Sequence, residues 1–171
     1  MTASHTNADG GATPIKVLFV CLGNICRSPA AEGCFLHLIA REQLDEHFAV
    51  DSAGTGHWHV GKPADRRMLE AASRRGILLP SRARQIVRAD LEAFDHILTM
   101  DDDNLAAVRR LAGGRPTRAT IAPITRYCRR HGLQEVPDPY YGGPDGFEQV
   151  LDLLEDACEG LLEHLRPKGA V

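Results

Sequence analysis

The chain has 171 residues, 43% hydrophobic and 25% charged, which is the range of a soluble globular domain long enough to bury a real core. With 20 Lys and Arg against 23 Asp and Glu, its formal net charge of −3 offers no general attraction to nucleic acid. Its apolar runs fall far short of a membrane span, and its five cysteines do not read as a disulfide framework, so a reducing cytoplasm is the expected compartment.

Residues 1–14, "MTASHTNADGGATP", hold no apolar segment that could serve as a signal peptide. They are expected to form a flexible leader to a single domain over residues 15–171. "IKVLFV" (15–20) has the β-rich apolar run of a buried strand. After the loop that follows, Ser28 is expected to cap a helix with Pro29 at its first position, where a missing N–H costs nothing. Ala31, Cys34, Phe35, Leu38 and Ile39 then recur at the spacing of a helix's core-facing stripe. "FAVDSAG" (48–54) predicts a second strand, and a helix carrying Met68, Leu69 and Ala72 follows, closed by Gly76.

"DHILTM" (95–100) predicts a third strand. "DDDNLAAVRRLAGG" (101–114) predicts a helix with acids at its start, bases near its end and Gly113 to stop it. "ATIAPI" (119–124) predicts a fourth strand, placed at a sheet edge because Pro123 cannot donate to a ladder. The last helix is expected to open on a D-x-x-E box of Asp145 and Glu148 and to bury a stripe from Phe147 to Leu165. Strands alternating with helices imply an α/β fold: a three-layer αβα sandwich with a four-stranded parallel sheet and helices on both faces. Ligands of such sheets bind beyond the carboxyl ends of the strands, where Cys21, Ser52 and Asp101 all fall.

The stretch "VCLGNICRSPAAEG" (20–33) therefore sits where a site is expected. A tight loop between strand and helix turns consecutive N–H groups inward, and the helix N-terminus adds partial positive charge. Such a nest holds a tetrahedral oxyanion. Gly23 lets the backbone approach closely, Asn24 tolerates a left-handed conformation, and Arg27 can clamp two anionic oxygens in its planar fork. Amide dipoles, helix terminus and guanidinium all favour a thiolate at Cys21.

Read alone, Cys21 is a core residue and Arg27 a surface charge. Cysteine and arginine enclosing one loop between strand and helix favour the alternative, a nucleophile at the floor of a phosphate cradle. A Walker-type nucleotide loop is disfavoured because its glycine–lysine pair is missing. Zinc fits poorly, because Cys21 and Cys26 lack two further ligands at suitable spacing, and nothing completes a site around His57 and His59. No metal and no cofactor is expected.

"VLFVCLGNICRSPAAEG", with a second motif "DPYYGG" (138–143), closely resembles the low-molecular-weight protein tyrosine phosphatases, from about Lys16 to Leu165. The resemblance implies a Rossmann-like, metal-independent phosphatase in which Cys21 forms a phosphocysteine intermediate. It implies that Arg27 and the loop of Leu22, Gly23, Asn24, Ile25, Cys26 and Ser28 bind the phosphate oxygens, with Ser28 hydrogen-bonded to the sulfur. Asn24, in contact with Ser52, would fix the loop. Asp138 matches the general acid, a role the chemistry demands because phenolate leaves more easily when protonated. Asp101 matches an aspartate that positions the arginine, although a plain helix cap reads equally well from sequence.

Trp58, Tyr140 and Tyr141 match the walls of an aryl slot, with His59 beside them tuning selectivity. Ile25 stands where relatives acting on phosphoarginine carry threonine, and residues 35–127 contain no cysteine, which argues against an arsenate-reductase relay. One departure is visible: Ser81 in "SRARQ" (81–85) stands where many eukaryotic members have histidine. Cys26 matches a neighbour that can pair reversibly with the nucleophile in relatives, or it is a passive loop residue. Cys34 and Cys158 read as core. The expected partners are a phosphotyrosine-containing protein as substrate and inorganic phosphate as product, with no nucleic acid or membrane, acting as a monomer or weak dimer. Kept open beside this reading are the same chemistry on phosphoarginine or arsenate, and a non-catalytic phosphate-binding module.

Overall fold

The computed structural model describes residues 13–140 and 143–167. Four strands, β1 (Ile15–Cys21), β2 (Phe48–Gly54), β3 (His96–Thr99) and β4 (Thr120–Pro123), form one parallel sheet in the order β2-β1-β3-β4. The helices are α1 (Arg27–Arg41), α2 (Arg66–Ser73), the single turn α3 (Asp90–Ala93), α4 (Asp102–Ala112) and α5 (Pro144–Leu165). This is the expected α/β architecture, with β4 at an edge as Pro123 requires. Among the described residues no helix is long and apolar enough to cross a membrane.

The pleat of β1 divides the core. Val17, Phe19 and Cys21 face a cluster built with α1, α2 and α5, where Phe35 packs 5.9 Å from Phe19 and edge-on 5.2 Å from Phe48. Leu18 and Val20 point the other way, into a cluster with Leu91, Ile97, Val108 and Ala112. Both faces of the central strand are thus covered, and the strand reads as an unbroken apolar run for that reason. The expected stripe of α1 is buried at every position, and so is most of the stripe of α5.

Two helix starts differ from expectation. Helix α1 begins at Arg27, so Ser28 lies inside its first turn rather than capping it; Cys26 takes the cap position with no side-chain bond. The Ser28 hydroxyl is engaged elsewhere, by the Cys21 sulfur and the Asn24 amide. Helix α5 begins at Pro144 with Gly143 as its cap, and the expected box between Asp145 and Glu148 does not form. Arg74 and Arg75 at the end of α2 hold the Glu148 carboxylate instead, at 2.9 and 2.6 Å. Helix α4 starts as expected: Asp101 and Asn104 close a reciprocal box, and Gly113 ends the helix at φ 64°. Helix α3 and the 3-10 turns Asp45–His47 and Ile124–Tyr127 were not anticipated, being too short to show a period.

Candidate active site

Between β1 and α1, residues 22–26 wrap around a cavity of about 410 Å³ at the carboxyl end of the sheet. The carbonyls are held from outside the loop: Thr55 N–H donates to Cys21, Gly56 to Leu22 and Asp65 to Ile25, at 2.9, 2.9 and 2.7 Å. Among the described residues, the N–H groups of Leu22, Gly23, Ile25 and Cys26 have no protein acceptor. With its carbonyls drawn outward, the loop leaves these donors for the interior, beside the N-terminus of α1. Gly54 makes the close approach possible: a Cβ there would lie 2.8 Å from the Leu22 oxygen and 3.1 Å from the Asn24 Cβ.

Asn24 takes the left-handed conformation, φ 57°, and is tied on three sides. Its Nδ2 donates to Ser28 Oγ at 2.7 Å and to Ser52 Oγ at 3.0 Å, while its Oδ1 accepts from Arg84 N–H at 3.0 Å. Cys21, 2% exposed at the floor of the cavity, has its Sγ 3.0 Å from Ser28 Oγ and accepts from Asn24 N–H at 3.3 Å. Behind them lies Glu32, whose Oε1 accepts from Ser52 at 2.6 Å and Ser81 at 2.7 Å. Burial pushes the Glu32 carboxyl above its ordinary range, and the two serine hydrogen bonds only partly oppose that. Ser81 thus joins the network by hydroxyl rather than by a histidine ring.

Arg27 is buried, and its Nη1 donates to Asp101 Oδ2 at 2.6 Å and to the Val136 carbonyl at 3.1 Å. Burial works against its charge, but Cys21 and Asp101 outweigh burial and hold the guanidinium more firmly protonated than usual. Its Nη2 lies 3.8 Å from Asp138 Oδ2. Asp138 approaches from the segment before α5, with its Oδ1 accepting from Tyr140 N–H at 3.0 Å. Asp101 is shared between α4 and Arg27, its Oδ1 accepting from Asn104 N–H at the head of α4 while its Oδ2 accepts from Arg27 Nη1.

Leu22, Ile25, Cys26, Trp58, His59 and Tyr140 complete the cavity. Trp58 is 63% exposed and stacks on His57 at the rim of the cavity. His59 and Tyr140 face each other with ring centroids 6.2 Å apart. Tyr141 lies outside the described residues. Burial, then the charge of Asp65, pushes the Cys26 thiol far up. Cys34 and Cys158 are core residues, and all five cysteines are free.

Sequence reasoning missed Glu32, Arg84, Val136 and Arg67. Glu32 left one signal, an acid four residues after Ser28 and hence on the same face of a helix that is otherwise apolar there. Val136 contributes only a carbonyl, which no side-chain pattern announces.

A cysteine on the floor of an anion nest, flanked by a buried arginine and a carboxylate at the switch point of a parallel sheet, defines a cysteine-centred oxyanion site. Residues 16–171 match the low molecular weight phosphotyrosine protein phosphatase family. The chain is 43% identical over 153 residues to the low molecular weight protein-tyrosine-phosphatase YfkJ of Bacillus subtilis, covering 89% of this chain and 96% of that one. A product-state mimic of the protein tyrosine phosphatase from Entamoeba histolytica superposes with a TM-score of 0.83 at 43% identity, covering 88% of this chain and 95% of that one. The Drosophila arginine phosphatase DARP superposes with a TM-score of 0.84 at 32% identity, over 90% and 99% of the two chains. The chain belongs to the low molecular weight phosphotyrosine protein phosphatase family.

Proposed function

We propose that this protein hydrolyses phosphotyrosine monoesters in protein substrates through a phosphocysteine intermediate. The observation that carries the reading is the convergence of Cys21 Sγ, the Arg27 guanidinium and the Asp138 carboxyl on one cavity. The loop N–H groups and Arg27 bind the non-bridging phosphate oxygens and stabilise the charge that spreads over them in flight. The Cys21 sulfur attacks phosphorus in line, an S–P bond forms, and the P–O bond to the aryl group breaks. Asp138 gives its proton to the departing phenolic oxygen. A water molecule then attacks phosphorus, its proton returns to Asp138, and the S–P bond breaks. Ser28 donates a hydrogen bond to the departing sulfur, and inorganic phosphate leaves.

The apolar and aromatic lining of the cavity by Leu22, Ile25, Trp58 and Tyr140 suits a flat ring better than a short alkyl phosphate. Ile25 offers an apolar wall where phosphoarginine would need a hydrogen-bond partner for its guanidinium. The five free thiols fit a reducing cytoplasm, and the leader of residues 1–14, the single domain over 15–171 and a monomer or weak dimer are part of the same proposal.

The test is turnover of p-nitrophenyl phosphate and of a phosphotyrosine peptide, with phosphoarginine as comparison and a chelator present throughout. Wild type should release phosphate from the first two. Cys21→Ser should be inactive, and Asp138→Ala should fall by roughly 10²- to 10⁴-fold. Full activity in Cys21→Ser would exclude the thiol mechanism. Preference for phosphoarginine would move the substrate assignment, and inactivity of wild type would leave an oxyanion-binding module.

A further inference from the structure

Arg67 does not line the cavity, yet it links α2 to the segment that carries Asp138. It is the second residue of α2, and its Nε and Nη2 donate to the two carboxylate oxygens of Asp65, each at 3.1 Å. The same Nη2 donates to the Tyr140 carbonyl at 2.9 Å. The guanidinium also lies 5.4 Å from the Tyr140 ring centroid and 4.8 Å from that of Phe147, in the first turns of α5. On the other side of its peptide, Tyr140 donates its N–H to Asp138 Oδ1, which leaves Oδ2 on the Arg27 side.

A continuous relay thus runs from a helix terminus to the carboxyl: Asp65, Arg67, the Tyr140 backbone, Asp138. Residues 137–140, which carry Asp138 and Tyr140, belong to no helix or strand. Their conformation depends on ties of this kind. Only a guanidinium offers a fork for Asp65, a further donor for a carbonyl and flat faces for two rings at once.

We propose that Arg67 is a positioning residue for Asp138, holding Tyr140 so that the Tyr140 N–H fixes one carboxyl oxygen and turns the other toward the leaving group. This rests on the assignment of Asp138 as the general acid. Proton transfer requires hydrogen-bond reach, and a displacement of about 1 Å can cost on the order of 10²-fold. Loosening Arg67 therefore selectively slows the substrates whose leaving groups need the proton.

The experiment compares kcat/KM, which reports formation of the phosphocysteine, for phenyl phosphate and for 2,4-dinitrophenyl phosphate, whose phenolate departs unprotonated. Arg67→Ala should lose roughly tenfold on phenyl phosphate and less than about twofold on the dinitrophenyl ester. Arg67→Lys, which restores charge and one donor but no flat face, should recover part of the loss. Asp65→Asn keeps the oxygen that caps α2 while weakening the anchor. It should show the same bias to a smaller degree, and it carries the test should Arg67→Ala fail to fold. Equal losses on both esters, or none on either, would overturn the proposal. Asp138→Ala is the control: if it shows the leaving-group bias and the Arg67 variants do not, only the positioning role falls; if it shows none, the general-acid assignment falls as well.

Discussion

Asp101 divides its carboxylate between two tasks, Oδ2 accepting from Arg27 Nη1 at 2.6 Å while Oδ1 accepts from Asn104 N–H at 2.8 Å at the head of α4. The orientation of the Arg27 guanidinium and the start of a helix on the opposite face of the sheet are therefore one structural fact. Asp101→Ala should raise KM for aryl phosphates about tenfold and lower unfolding stability by about 1–3 kcal/mol, through a lost cap and a stranded guanidinium. Asp101→Asn keeps a capping oxygen, so urea unfolding should recover most of the stability while KM stays high. Recovery of both together would separate Arg27 aim from Asp101 charge.

Cys26 is held as a neutral thiol by burial and by Asp65, which raise it far above an ordinary cysteine. Because only thiolate is alkylated readily, iodoacetamide at neutral pH should leave Cys26 unlabelled even where Cys21, the proposed nucleophile on the cavity floor, reacts. Inorganic phosphate should slow the Cys21 reaction by occupying the nest. Peptide mapping by mass spectrometry reads both, and early labelling at Cys26 would contradict the burial argument.

Glu32 is raised above its ordinary 4.5 by burial. The folded protein therefore binds that proton more tightly than the unfolded chain, and the contribution to stability is fullest below 4.5 and is lost as pH rises through the raised value. Glu32→Gln keeps an acceptor for Ser52 and Ser81 and removes the titration. The stability of wild type relative to Glu32→Gln should decline as pH climbs above 4.5 and then level off. Denaturant melts across that interval decide it, and a difference growing with pH would reverse the sign.

Gly160 on α5 packs against the 3-10 turn Ile124–Tyr127, where an added Cβ would stand 1.9 Å from the Tyr127 carbonyl oxygen. The obstacle is backbone, so the helix itself must shift. Gly160→Ala should destabilise by about 1–3 kcal/mol. Gly146→Ala on the same helix meets only ordinary contact with Pro139, at 3.6 Å, and should be neutral or stabilising by up to about 1 kcal/mol. Thermal midpoints of the two variants should move in opposite directions or stay well apart.

Local regularities were legible in the sequence wherever a period or a contiguous motif carried them. The unbroken apolar run of β1, the stripe of α1 and the Gly113 stop of α4 all follow from spacing and from backbone freedom at a single residue. The loop from Cys21 to Ser28 was visible because its donors, guanidinium and thiol are neighbours in the chain. Pairings across long separations were not. Ser28 read as a cap because that is its commonest local use, whereas Asn24 and Cys21 claim its hydroxyl. Glu148 read as half of a box, but Arg74 and Arg75, just past the end of α2 and more than 70 residues earlier, outbid the local partner. Arg67 was silent for the same reason, as its partners Tyr140 and Phe147 meet it only in the fold.

The three tethers on Asn24 bear on the speed of the proposed oxyanion capture. Because Ser28, Ser52 and Arg84 already hold the loop in its left-handed turn, the ordering entropy of that turn is met during folding and not at the encounter. Vanadate should then associate in a single kinetic phase, its rate linear in concentration with no plateau from a preceding rearrangement.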